Sequence, residues 1–445
     1  MRKPRFGLVL IQMIILTIPL EISKTWFPIL LLEKSVGGQP VSVLEVSRLI
    51  LALLVLVLIG NLLKNGIPLS VLRKELVVPL LLLGAYCVSW LFTPAPLTAR
   101  NETIRLVVHL LMALSVIWFV RNPEDVQVLL GVFRWTTLVL GGLVVFQAFS
   151  GVFWWNEGLS EGGRYNATMG DPNILARYMV MGFFAWLLGP LDKIKGVRIT
   201  GILLCLASIV LIQSRGAWVI FAGLLVTLWF FGPRYLRRRV LGALLLASVA
   251  VCVAIMFSPT IQERFATLSA GSGAADVRVS LAQAGIAMFL DHPAFGVGLG
   301  GYPIEYVVNY PQFLTYYGER GVLSHAALIT TMAEFGIVGL AITAAFLAQC
   351  LRLFRRLQER ANPLQGESIR QMATVVLVSL LAILLGSQAE GRFWEEPYLW
   401  VFWGMLVALS GQMERPLIER PLTVAGNVLD SRSQKIMKRA ALHNR

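Results

Sequence analysis

The sequence predicts an all-α fold, a polytopic integral membrane bundle of about twelve transmembrane helices with one long, partly helical outward loop. Three observations lead there. Hydrophobic residues make up 56% of the 445, mean hydropathy is +0.71, and only 14% of residues are charged, too few to clothe a globular surface. Apolar runs recur from Phe6 to Leu409, most of them close to the ~20 helical residues that cross a ~30 Å hydrocarbon core. Backbone in contact with lipid must also satisfy its own hydrogen bonds, which a helix does internally.

Taken in order, the expected spans are residues 6–32 (bent by Pro19 and Pro28), 41–63, 77–92, 102–120, 126–149, 172–190, 199–213, 217–232, 240–257, 326–351, 371–387 and 398–411. Residues 1–257 thus hold nine helices, 258–324 the large loop, 325–413 three more helices, and 414–445 a basic tail. Met1 to Leu20 resembles a signal peptide in outline. It lacks a small-x-small cleavage site and is followed by further spans, so it reads as an uncleaved first helix.

The net charge of +14 does not point to nucleic acid, because of where the charges sit. With the N-terminus in the cytoplasm, most of the 39 Lys and Arg fall in inward segments, among them Arg234 with Arg237, Arg238 and Arg239, then Arg352, Arg355 and Arg356, and the tail. This is the asymmetry expected of a membrane protein with both termini cytoplasmic, and the tail suits anionic lipid. The four cysteines, Cys87, Cys205, Cys252 and Cys350, lie in or at the end of apolar runs and read as packing residues.

Two outward loops, Ser150–Asp171 and Ser258–Ser324, are long, and function concentrates where a scaffold presents such loops. Three segments there carry chemistry. Gln213-Ser214-Arg215-Gly216 sets an arginine at the outer membrane edge, where lipid anchoring is an equally good reading. In the long loop Asp276 is expected to cap a helix running to about Leu290, with Arg278 in its first turn and Val279, Ala282, Ile286 and Phe289 on the face lying against the bundle. His292-Pro293 and Gly296, Gly298, Gly300 and Gly301 follow. These glycines read as a turn more readily than as an anion cradle, and no strand precedes them as a dinucleotide site requires.

The third segment is Ser324-His325. With Ser324 as cap, His325 stands at the positive end of a long helix, which disfavours a second proton, so the imidazole is neutral at about pH 7 and able to accept one. A general base needs that state; an interfacial histidine bonded to a neighbour fits as well. Arg48, Arg105 and Arg177 lie near the outward ends of their spans, and Asn173 shares a helix face with Arg177. Ionisable residues within a membrane are costly and usually face a cavity or an ion pair. With Arg215 and Arg278 they would form an electropositive chamber suited to a pyrophosphate, which arginine grips bidentately. Outward carboxylates at metal-ligand spacing are lacking, so arginine is expected to serve where a metal otherwise would.

These segments resemble the O-antigen ligase and polymerase superfamily of bacterial envelope glycosyltransferases. The resemblance rests on Met169-Gly170-Asp171-Pro172-Asn173, Gln213-Ser214-Arg215-Gly216, Asp276-Val277-Arg278, and the long loop through His292-Pro293 and Gly296-Val297-Gly298 to His325 and Ala333-Glu334-Phe335-Gly336-Ile337-Val338-Gly339-Leu340. It covers most of the chain and is densest from 165 to 345. The resemblance implies an active site facing the periplasm from the bacterial inner membrane. There a polyprenyl-pyrophosphate-linked glycan would be the donor and lipid A–core or another glycan the acceptor, with neither metal nor other cofactor. It implies His325 as the base and Arg215 and Arg278 at the pyrophosphate, with Arg177, Arg48 and Arg105 as further anion ligands and Asn173 and Asp171 as further site residues. Many family members have asparagine after the histidine; here it is Ala326. Ligase chemistry is the leading expectation, O-antigen or exopolysaccharide polymerase chemistry the alternative. A transporter or flippase stands third, since no matched pair of interrupted helices marks two repeats.

Overall fold

The computed structural model describes residues 6–21, 34–36, 39–41, 46–65, 74–153, 164–190, 195–257, 262, 273–314, 324–360, 366–391 and 393–413. The expected tail, 414–445, lies outside them, as do parts of both long loops. The helices are α1 (Phe6–Thr17), α2 (Val46–Asn65), α3 (Val77–Ser89), α4 (Pro96–Phe119), α5 (Pro123–Ser150), α6 (Pro172–Leu188), α7 (Lys195–Leu211) and α8 (Arg215–Phe231). They continue with α9 (Arg237–Phe257), α10 (Gly273–Asp291), α11 (Tyr302–Val308), α12 (Ala327–Arg360), α13 (Gly366–Glu390) and α14 (Pro397–Met413).

Helix α1 ends at Thr17, well short of the expected 6–32, and residues 22–33 lie outside the described ones, but each expected span overlaps a helix. By length and apolar composition five of them, α2, α4, α5, α12 and α13, are able to cross a membrane, while α1, α6, α8 and α14 are apolar but shorter. Twelve crossings therefore stand as a proposal. One departure from an all-helical chain is an antiparallel hairpin of β1 (Lys34–Val36) and β2 (Gln39–Val41). Residue 41, expected to open the second span, belongs to this hairpin, and α2 begins at Val46.

Two helices form the heart of the bundle. Almost every residue of α6 and α14 is buried, consistent with helices that are apolar on all sides. Phe133 of α5 packs edge-on against Tyr178 and Phe402, at 5.0 and 5.3 Å between ring centres. Small residues let the helices approach, the usual device where lipid is no less apolar than the interface. Gly201 of α7 lies flat against the Trp186 indole of α6, with no room for a Cβ. That indole donates to Thr137 Oγ1 at 3.1 Å. Arg134, buried in α5, lies 5.2 Å from the Trp186 ring centre and donates to the Pro190 carbonyl.

Helix α12 is interrupted at Gly336, whose φ of 60° and ψ of −148° leave the helical region. Only glycine takes that geometry without strain. The break frees carbonyls, and the expected glycine turn satisfies them. Val297 donates to Ala333 O at 2.8 Å and Gly298 to Glu334 O at 3.1 Å, while Ile337 donates back to Pro293 O at 2.8 Å. The Glu334 carboxylate accepts from the Tyr302 N–H. His292-Pro293 and the glycine run thus splice the loop into the α12 break.

The loop helix differs from expectation in two ways. It starts at Gly273, so Asp276 lies within it rather than capping it. Its bundle-facing side is Val277, Leu281, Ala284 and Met288, all buried, and Val279 and Ile286 point away. Periodicity located an apolar face correctly, but α10 has two, and α12 covers the other one.

Replacing Gly201 with leucine should collide with Trp186 and lower the thermal midpoint of the detergent-solubilised protein by several degrees. Gly142→Ala, where a Cβ meets nothing within 4 Å, should match or exceed the wild type, since alanine favours a helix by roughly 0.5–1 kcal/mol over glycine.

Candidate functional site

The segment Met169–Asn173 is fixed before any function is considered. Thr168 Oγ1 donates to the Pro19 carbonyl at 2.8 Å, and Gly170 N–H donates to Glu21 Oε2 at 2.8 Å, docking the segment on the end of α1. Gln147 of α5 accepts from Ala167 N–H at 2.9 Å, steadying the left-handed backbone of Ala167 (φ 48°). Asp171 is the N-cap of α6, accepting from Asn173 N–H at 2.7 Å, so its carboxylate serves the helix end.

Asn173 links two of the expected motifs. Its Oδ1 accepts from Ser214 Oγ at 2.9 Å and from Arg164 at 3.0 Å. Ser214 is also the N-cap of α8, which makes Arg215 the first residue of that helix. Gln213 before it is left-handed, with φ 57°, a tight turn that holds Arg215 at the helix start, half-buried.

The last turns of α13 meet the other site residues. Gly386 gives the aliphatic stem of Arg177 its place, leaving no room for a Cβ. A Cβ at Gly216 would lie 3.4 Å from Ala389. Gly391, left-handed at φ 76°, sits against the Ser324 carbonyl, with the His325 backbone just beyond. Gln388 reaches across to accept from Leu328 N–H at 3.1 Å, and so caps α12.

This corrects the expectation at His325. The helix begins at Ala327, and Ser324 Oγ accepts from Ala326 N–H at 3.2 Å in a local turn instead of capping the helix. The cap comes from Gln388, and His325 stands just ahead of the helix, half-buried, still at its positive end.

Electrostatically the site is not a pool of bare arginines. Arg177 forms an ion pair with Glu396, and both side chains are largely sequestered. Arg105 pairs with Glu102 one turn earlier, Nη1 to Oε2 at 3.0 Å. At least two of the five expected anion ligands, Arg177 and Arg105, thus have a carboxylate beside them. Arg48 is exposed at the start of α2. Arg278 is exposed on α10, two turns, about 10 Å, along the axis from where Gly285 crosses Ile329 of α12. Arg48 and Arg105 both act on the buried His109, which bonds the Trp394 backbone beyond α13. Among the described residues no group of three or more His, Cys, Asp or Glu side chains is placed to hold a metal ion.

Sequence reasoning missed Glu21, Gln147, Arg164, Gly386, Gln388, Gly391 and Glu396. A signal existed for the last four: Glu390, Glu395 and Glu396 crowd a short connection between two apolar runs, unusual in so poorly charged a chain.

The structure therefore defines a helical membrane protein with a polar site gathered at one end of its bundle. Residues 200–344, from α7 into α12, match the family described as O-Antigen ligase. The match covers about a third of the chain and supports the O-antigen ligase/polymerase superfamily, glycosyltransferase-like membrane enzymes acting on glycan and lipid-linked substrates. It takes in Gln213–Gly216, Asp276–Arg278, His325 and the α12 break, but not Met169–Asn173 or the end of α13. No curated protein matches the chain.

Removing one member of a buried ion pair strands the other and costs about 3–5 kcal/mol. Arg177→Met and Glu396→Met should each lower the unfolding midpoint in detergent sharply, and the double variant should recover most of the loss. Additive losses in the double variant would show that the two side chains do not act as a pair.

Proposed function

We propose that this protein is an O-antigen ligase. It would transfer a glycan from polyprenyl (undecaprenyl) pyrophosphate to a hydroxyl of lipid A–core, at the periplasmic face of the bacterial inner membrane, without a metal ion. The observation that carries the reading is the meeting of Asn173, Ser214–Arg215, Arg177 and Ser324–His325 around the end of α13, within and beside the segment that matches the family.

In this reading His325 accepts the proton of the acceptor hydroxyl as its oxygen attacks the anomeric carbon. The bond from that carbon to the pyrophosphate oxygen breaks with its electron pair, polyprenyl pyrophosphate departs, and attack from the opposite face inverts the centre. Arg215 and Arg278 take up the growing negative charge, since preorganised donors at a water-poor site act most strongly where charge develops. Arg177, oriented by Glu396, offers its remaining donors, and Arg48 and Arg105 serve as further ligands for the anion. Asn173 and Asp171 hold the turns that aim the arginines. The number of crossings is twelve and both termini are cytoplasmic, in keeping with the distribution of Lys and Arg.

The test is electrophoresis of lipopolysaccharide and of polyprenyl-linked glycans from a deletion strain. Ligase activity predicts unmodified lipid A–core with long polymer retained on the carrier. A single repeat on lipid A–core would instead identify a polymerase, and two normal pools would exclude both. Complementation with His325→Ala should restore insertion but not transfer. Arg215→Lys should lose most transfer, because a point charge does not replace the guanidinium fork. Gly391→Ala should behave like His325→Ala, whereas Gly216→Ala should retain activity.

A further inference from the structure

Helix α10 is apolar on two opposite faces. Val277, Leu281, Ala284 and Met288 are buried in a cluster with Tyr302, Tyr306 and Tyr310 of the loop and Ala333 of α12. On the other side Val279, Ile286 and Leu290 are 55%, 44% and 70% exposed, and their steps of seven and four residues align them in one stripe. Ala282 and Phe289 flank that stripe, half-buried. Gln283, exposed beside Leu290, is a polar residue on that side, and an apolar stripe that protein does not cover is met by lipid or by another chain.

What covers the other side is indicated by what it joins. Just past α10, Phe295 is exposed and its ring lies 6.4 Å from that of Phe92. Phe92 and the neighbouring Leu91, 85% exposed, end the outer flank of α3. That flank runs on through Val88 to Leu97 and Ile104 of α4, a helix long and apolar enough to cross the membrane. Phe295 thus joins the end of α10 to the exposed apolar flank of α3 and α4, and exposed apolar area of this extent is not left to water.

We propose that α10 is an interfacial helix, its outer face immersed in the bilayer leaflet at this end of the bundle, with acyl chains packed on Val279, Ile286 and Leu290. Such a helix lies along the interface, its apolar side about 5–10 Å into the headgroup–acyl boundary. The inference concerns the helix and its lipid contact and stands independently of the reaction assigned above.

The test uses nitroxide labels on full-length protein in nanodiscs of phosphatidylethanolamine and phosphatidylglycerol. The four native cysteines are replaced, and single labels are attached at Val279→Cys, Ile286→Cys, Leu290→Cys and, as the aqueous reference, at exposed Gln312. Relaxation by oxygen, which partitions into lipid, is compared with relaxation by a water-soluble nickel complex. Immersion predicts an oxygen-to-nickel ratio several-fold higher at the three stripe positions than at 312. Nickel access equal to that at 312 would overturn the proposal in favour of a solvated helix. Protection from both reagents would overturn it in favour of protein cover, such as a second copy of the chain. Because the labels sit on exposed side chains, native elution of each labelled protein serves as the check on folding.

Discussion

A charge inside an apolar bundle must be answered by another, and the pairing of Arg177 with Glu396 is the constraint from which the site follows. The arginine projects from α6, the most enclosed helix, and the glutamate precedes α14, the other central one. For the two to meet, the end of α13 must pass close to α6, and Gly386 gives it room by lacking a side chain where the stem of Arg177 lies. Once α13 is held there, its following residues face the start of α8 and the turn before α12. The pair thus gathers segments distant in sequence without contacting all of them.

A second constraint comes from the backbone. In a membrane protein a broken helix is tolerated where other groups take up its unpaired carbonyls. The break at Gly336 is matched by the loop that returns to it, so the N–H groups of Val297 and Gly298 serve as the partners the helix lost. The glycines of that run, which superficially suggest an anion cradle, are small because of close approaches: Gly296 meets the α12 backbone at Ala333–Phe335, while Gly298 and Gly300 meet Thr93 and Thr98. The same splice fixes the loop helix against α12 and thereby sets the position of Arg278 relative to the helix that His325 precedes.

The helices were legible in the sequence because hydropathy and length are local properties, and among the described residues every expected span overlaps a helix. The motif order was legible too: Asn173 and Ser214 lie 41 residues apart and touch. What escaped was the contribution of α13 and Glu396. Arg177 and Glu396 are 219 residues apart, and no periodicity connects them. The cap of α12 escaped for the same reason, since Gln388 is distant from Leu328 in sequence whereas Ser324 is adjacent and of a capping type. The orientation of α10 was misjudged because a periodic stripe shows that a face is apolar without showing what covers it.

The immersion proposed for α10 bears on the arginine it carries. Arg278 stands about 100° around the helix from Val279, at the edge of the apolar stripe and not on it. A helix lying in the boundary layer holds such an edge residue at the depth of the lipid headgroups. The phosphates of a polyprenyl pyrophosphate lie at that same depth, because its chain is dissolved in the acyl region. Arg278 therefore need not be drawn into the bundle to meet the diphosphate, and its exposure is compatible with the role assigned to it. Arg215, half-buried at the start of α8, would approach the same group from the bundle side. The leaving group would then depart along the leaflet, between a helix set by lipid and a helix start set by Asn173 and Ser214.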